Sequence, residues 1–207
     1  LAQTVQIGSV RMEKEVPFSI AEKVARANAV GCADRDTAEL MKDEIVRAHE
    51  EKDSVGGVVR CTVLGAPVGV GEPFFGSVES AVSAMMFSIP GVKGVEFGSG
   101  FRAASMRGSD HNDPYTVRHG RIVTRTNNAG GVLGGLSTGM PIDFRVAFKP
   151  TSSIARPQMS VDIAKKVSVE LEVKGRHDPC IVPRAVPVVE NSAASVVLDL
   201  MLQGGFA

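Results

Sequence analysis

The sequence has 207 residues, with 23 Lys plus Arg against 23 Asp plus Glu, so its formal net charge is zero. A chain of this length favours one domain and buries roughly 70% of its unfolded surface without needing disulfides or metals. The charge balance argues against a nucleic-acid protein, which needs a basic excess to meet phosphates.

The three cysteines, Cys32, Cys61 and Cys180, are odd in number and lack metal-ligand spacing. They read as free thiols of a reducing cytosol, and no metal is expected. No apolar run is read as long enough to span a membrane. The opening LAQTVQIGSV has no basic n-region, so no signal peptide is expected. It reads as a strand that other residues precede.

Gln3 to Met12 alternates loosely, with Val5, Ile7 and Val10 apolar, and predicts a strand. Ser19 to Ala29 carries Ile20, Val24 and Ala27 at helical spacing. Asp36 then reads as the cap of a longer helix, with Glu39 as its capping-box partner. Ala38, Met41, Ile45 and Ala48 form the buried stripe of that helix.

Gly56 to Leu64 is rich in β-branched residues and predicts a strand. The following GAPVGVGEPFFG is rich in glycine but is not a GxGxxG fingerprint, and Pro73 stands where a helix would begin. Val78 to Ile89 predicts a helix with Met85 and Met86 as core filler. Pro90-Gly91 stops it, and a strand over Val92 to Phe97 follows.

Phe101 to Asn128 is polar and mixed. Within it, Gly108 to Pro114 reads as a solvated turn, with a substrate-facing lid as the alternative. It lacks the sixth-position glycine and twelfth-position glutamate of a calcium loop. Arg118, Arg121 and Arg125 recur around Ile122 and Val123, the pattern of a basic hairpin arm. The second glycine-rich stretch, NNAGGVLGGLSTG, leaves backbone bare. It suits either a flat ligand or a tight strand crossing.

Ile142 to Phe148 predicts an apolar strand that runs into Lys149-Pro150-Thr151-Ser152-Ser153. One lysine and three hydroxyls in a turn suit phosphate, through charge-assisted hydrogen bonds. The alternative is a plain hydroxyl-rich turn. Val167 to Val173 alternates as a strand and delivers the chain into KGRHDPCIVPRAVPVVE. There Arg176, His177 and Asp178 stand side by side. Donor-only, ambivalent and acceptor-only groups in one place suit anion binding or proton handling. The bland alternative is a solvated turn with a local Arg–Asp pair. A long apolar helix over Val186 to Leu202 ends the chain, with Val189, Ala193, Val196, Val197 and Leu200 on one face.

Five blocks, GAPVGVGEPFFG, GVKGVEFGSGF, NNAGGVLGGLSTGMPI, AFKPTSSI and GRHDPCIVPRAVPVVE, together resemble chorismate synthase. They occur in the family's order and cover nearly the whole chain, with an archaeal cast. The resemblance implies an α+β fold, a sandwich of antiparallel sheets and helices. It also implies a cytoplasmic homotetramer that takes a small-molecule substrate, with neither nucleic acid nor membrane as a partner. The implied reaction is a 1,4-anti elimination of phosphate from 5-enolpyruvylshikimate 3-phosphate to give chorismate, the last step of the shikimate pathway leading to aromatic amino acids. It requires reduced FMN, with NADPH as a candidate reductant. The flavin lends an electron and takes up a proton.

Position by position, the resemblance implies that Pro90, Gly91 and Gly134 contact the flavin through backbone. Lys149, Pro150, Thr151, Ser152 and Ser153 correspond to the turn that binds FMN. Arg176 corresponds to an arginine near flavin and substrate. Asp178 corresponds to the catalytic aspartate that moves the proton. The family's Gly-Glu-Ser-His-Gly and Arg-Ser-Ser-Ala-Arg-like segments have no counterpart in this sequence. Residues 1–207 are therefore expected to be the C-terminal portion of a single chorismate synthase domain. The competing expectation is a non-catalytic flavin- or phosphate-binding remnant.

Overall fold

The structure is a computed structural model. It describes residues 1–175 and 177–206. The chain forms two compact units. The first comprises Leu1–Ala2, Val59–Ala147 and the chain from Val186; the second comprises Gln3–Val58 and Phe148–Ala185.

In the second unit, strands β1 (Ala2–Ile7) and β2 (Val10–Arg11) form an antiparallel hairpin. Gly8 turns the hairpin at φ +52°, directly over the buried carboxylate of Glu44. That carboxylate pairs with Arg47.

Helix α1 (Phe18–Arg26) buries Ala21 and Ala25. Ile20 and Ala27, expected inside, face solvent. Helix α2 (Arg35–Glu50) buries Ala38, Met41, Glu44 and Ala48, while Ile45 is half-buried. Its cap is Asp34, not Asp36: the Asp34 side chain accepts from Thr37 N at 3.0 Å and Thr37 Oγ1 at 2.6 Å. Glu39, the expected capping-box partner, pairs with Lys42 instead. Helix α2 is followed by strand β3 (Gly57–Val63).

Further along the second unit, β10 (Gln158–Asp162) and β11 (Val167–Leu171) pair antiparallel, with Ser160 opposite Val169. Sequence pattern points to β11 but not to β10, whose QMSVD carries too few apolar residues for a strand signal. Asp162 closes this hairpin by accepting from Ala164 N and Lys165 N.

The first unit is built on β3 from Val59, β9 (Ile142–Phe148) and β4 (Val92–Phe97), adjacent in that order. On β9, Ile142, Phe144 and Val146 are buried, and Asp143 and Arg145 alternate with them. Phe144 packs its ring on Phe97, with centroids 5.5 Å apart. The polar face is tied by ion pairs, Arg60–Asp143 at 2.8 Å and Arg145–Glu96 at 3.0 Å.

Helix α3 (Val78–Ser88) is capped by Ser77 and buries Val78, Val82 and Met86; Met85 is only half-buried. Gly108–His111 is a one-turn helix, α4, where a plain turn was expected. The expected basic arm is present as the hairpin of β5 (Tyr115–Arg118) and β6 (Arg121–Thr124), with Arg118 opposite Arg121. Two short strands, β7 (Val132–Leu133) and β8 (Leu136–Ser137), pair across Gly134-Gly135.

Helix α5 (Val182–Gln203) begins before the predicted Val186. Its first turn closes on the Ile181 carbonyl, which accepts from Arg184 N and Ala185 N. Pro183 is tolerated there because the first turn of a helix does not use its N–H groups. The expected stripe of Val189, Ala193, Val196, Val197 and Leu200 is buried.

By length and composition α5 is long and apolar enough to cross a membrane, with a mean hydropathy of 1.4, where no such run was read in the sequence. Its buried stripe and Glu190, which accepts from Ala2 N at 2.8 Å, give it the character of a core helix. The mixture of helices with antiparallel strand pairs is the expected α+β class.

Candidate functional site

The second unit gathers the predicted lysine–hydroxyl turn and the predicted segment around Asp178 onto one connector. Pro150 cannot donate to a ladder, so β9 ends at Phe148 and the chain turns through Lys149 to Ser153. Lys149, Pro150, Ser152 and Ser153 are exposed, and Thr151 is half-buried. Among the described residues Lys149 has no ion-pair partner. Thr151 Oγ1 is buried and has no hydrogen-bond partner among the described residues. A buried hydroxyl in that state costs about 1–3 kcal/mol, so a ligand oxygen placed against it would be stabilising.

The connector between α2 and β3 holds this turn. Asp53 Oδ2 pairs with Arg156 Nη1 at 2.9 Å. Asp53 Oδ1 accepts from Ser54 N at 2.8 Å. Ser54 Oγ donates to the Thr151 carbonyl at 2.6 Å. Val55 N donates to the Pro179 carbonyl at 2.8 Å. Gly56 is required here, because a Cβ would come within 2.3 Å of the Phe148 carbonyl oxygen. None of the residues 53–56 stood out as functional in the sequence. The run Asp53-Ser54-Val55-Gly56 looks like any turn before a strand.

In the segment around Asp178, His177 Nε2 lies 3.1 Å from the Val173 carbonyl. The Asp178 carboxylate forms an ion pair with Arg184, in the first turn of α5. A local Arg–Asp pair was one reading of this segment, but with Arg176 as the partner. Arg176 lies outside the described residues. A small cleft, partly open to solvent, is lined by His49, Lys52, Asp53, Ile154, Gly175 and His177.

In the first unit, Pro90 is exposed and Gly91 turns the chain from α3 into β4 at φ +92°. The second glycine-rich stretch divides into two kinds of position. Gly130, Gly131 and Gly135 are buried, and a Cβ on any of them would strike backbone within 2.8 Å. These serve close strand approach, as one of the two sequence readings held. Gly134 differs: it is exposed, at φ +59°, and a Cβ there would meet nothing within 4 Å. Gly134-Gly135 is a two-residue hairpin turn with both residues at positive φ, which glycine adopts without strain.

The stretch is anchored by Asp113, which sequence reading left in a solvated turn. Its carboxylate accepts from Thr126 Oγ1 at 2.6 Å, Asn128 N at 2.7 Å and Ala129 N at 2.9 Å. Burial pushes this carboxyl up, but the three hydrogen bonds outweigh burial and hold its pKa below the usual value. The three cysteines are buried and free, and burial pushes all three thiols up, Cys61 to about 12. They are inert packing residues rather than nucleophiles. No cluster of three metal-ligating side chains occurs among the described residues.

A chorismate synthase family model matches residues 1–202. The chain is 48% identical over 203 residues to a chorismate synthase of Korarchaeum cryptofilum, covering 98% of this chain and 56% of the relative. It is 52% identical over 172 residues to one of Thermococcus gammatolerans, covering 83% of this chain and 48% of the relative. A crystal structure of chorismate synthase superposes with a TM-score of 0.80 at 27% identity, over 98% of this chain and 56% of that one. The chain thus spans about half the length of the curated relatives it matches.

Proposed function

The chain belongs to the chorismate synthase family, and on that premise we propose that the whole protein eliminates phosphate from 5-enolpyruvylshikimate 3-phosphate to give chorismate. The observation that carries this reading is the placement of the lysine–hydroxyl turn and the Asp178 segment on adjacent residues of one connector, Ser54 and Val55. Such a site offers a cation and hydroxyls for an anion, and a carboxylate for a proton.

Reduced FMN is the cofactor this family implies, and the residues present fit it. Lys149 supplies an exposed positive charge, Thr151 an unsatisfied hydroxyl, and Ser152 and Ser153 exposed hydroxyls. These residues would hold its phosphate through charge-assisted hydrogen bonds. When bound, the flavin supplies electron density and a proton acceptor, and the protein positions it. Gly134 and the Pro90-Gly91 turn keep the backbone-contact role that the resemblance implies, and Arg176 keeps its role near flavin and substrate.

Asp178 accepts and passes on the proton in this reading. Its carboxylate pairs with Arg184, in the first turn of the last helix, which keeps a cation beside it. The substrate's phosphate leaves as an anion. We further propose a cytoplasmic homotetramer, with NADPH as the candidate reductant and residues 1–207 as one portion of a single domain.

The test is direct. The full-length protein, supplied with pre-reduced FMN and 5-enolpyruvylshikimate 3-phosphate, should form chorismate and inorganic phosphate in equal amounts. Release of phosphate without chorismate, or flavin binding without turnover, would overturn the reading.

A further inference from the structure

We infer that Ser54 is a positioning residue: through its hydroxyl and its neighbours it sets the lysine–hydroxyl turn and the Asp178 segment at one fixed spacing. This rests on the reading of Lys149 to Ser153 as the cofactor turn.

The argument begins with how many ties converge on so few residues. Asp53, Ser54 and Val55 are consecutive, and between them they are bound to two distant segments. Asp53 reaches Arg156, beyond the turn. Ser54 reaches Thr151, inside the turn. Val55 reaches Pro179, next to Asp178. Neighbouring residues cannot move far independently, so the spacing of the two functional segments follows the conformation of this connector.

The hydroxyl of Ser54 is the adjustable part of this clasp. Serine hydroxyls in turns usually bond to backbone close in sequence. This one instead bonds to a carbonyl 97 residues away. Asp53 Oδ1 accepts from Ser54 N, a second bond that holds the serine backbone in place. The bonded carbonyl belongs to Thr151, whose own hydroxyl is buried and without a partner. Fixing that carbonyl fixes the peptide plane that leads into Ser152, and with it the hydroxyls that would meet an anion. The bond does not touch the anion itself; Ser54 acts through Thr151.

The test uses the full-length protein, with FMN dissociation constants from fluorescence titration and melting temperatures without flavin. Ser54→Ala is expected to weaken FMN by about tenfold, the scale of one lost protein hydrogen bond transmitted through Thr151. Ser54→Thr, which keeps the hydroxyl, is expected to stay within about threefold of the parent. A serine with only a structural role would lower the melting temperature and leave FMN affinity unchanged well below the transition, and that result overturns the inference. Failure of Ser54→Thr to rescue overturns it too, because volume rather than the hydroxyl would then be the cause. Should Ser54→Ala not fold, Ser54→Cys, with similar volume and a weaker donor, takes the same measurement. Lys149→Ala separates the two levels. If it weakens FMN while Ser54→Ala does not, only the positioning inference fails. If Lys149→Ala leaves FMN affinity unchanged, the cofactor-turn reading falls and takes this inference with it.

Discussion

Asp178 pairs with Arg184, which lies in the first turn of the last helix, so the carboxylate proposed to handle the proton meets its cation on its C-terminal side. Both side chains are well exposed, at 43% and 70%. Exposed pairs of this kind contribute about 0–1 kcal/mol to stability, so the pair adds little to folding. Asp178→Asn keeps the shape and removes the base. Turnover is expected to fall by about 10²-fold, the scale of losing a positioned acid–base group. FMN affinity and melting temperature should stay near the parent values. Stopped-flow measurement of chorismate formation with pre-reduced FMN checks the rate; collapse of flavin binding instead would make Asp178 a cofactor ligand.

Lys149 is exposed in a turn whose neighbouring hydroxyl at Thr151 is unsatisfied. Removing its charge should cost one charge-assisted hydrogen bond to the flavin phosphate. Lys149→Ala is expected to raise the FMN dissociation constant about tenfold or more. A titration against riboflavin, which lacks the phosphate, should show a much smaller difference between parent and variant. Equal losses for FMN and riboflavin would place Lys149 somewhere other than the phosphate.

The periodic parts of the fold were legible in the sequence, and the non-local parts were not. The alternation of Ile142, Phe144, Val146 and Phe148 and the stripe from Val189 to Leu200 announce their buried faces. The cap of α2 was misplaced because Asp34 and Asp36 both precede the helical pattern, and only the reach to Thr37 distinguishes them. The start of α5 was set too late because Pro183 looks like a breaker, although it falls in a turn that tolerates it. At the site, Lys149 and Asp178 stand in chemically distinctive runs. Ser54 and Asp113 do not; their importance lies in partners far along the chain, which no local pattern records.

Cys61 is buried, and its thiol is pushed up to about 12 by that burial. The thiolate is the reactive species, so almost none is present near neutral pH. Cys32 and Cys180 are buried and shifted in the same direction. The native protein at pH 8 should therefore react with a thiol reagent such as Ellman's reagent at a small fraction of the rate seen in denaturant. Release of three equivalents within seconds from the native protein would show that these sites open readily.

Asp113 offers a test of how the glycine-rich stretch is held. Its carboxylate satisfies the backbone N–H groups of Asn128 and Ala129 together with the Thr126 hydroxyl. Asp113→Ala leaves these donors without their acceptor, at an expected cost of about 1–3 kcal/mol in chemical denaturation. The sign of the pH dependence follows from the lowered pKa of Asp113. A carboxyl whose folded pKa lies below its unfolded value, near 3.9, contributes its full stability above that value. The contribution is lost as pH falls through the folded pKa, where the folded state also takes up the proton. The stability gap between parent and Asp113→Ala should therefore be constant from about pH 5 to pH 8 and shrink as the solution is acidified below about pH 4. Denaturant titrations of both proteins across that range check it. A gap that stays constant into acid would mean that the carboxylate charge contributes nothing, and that only the shape of the side chain holds the loop.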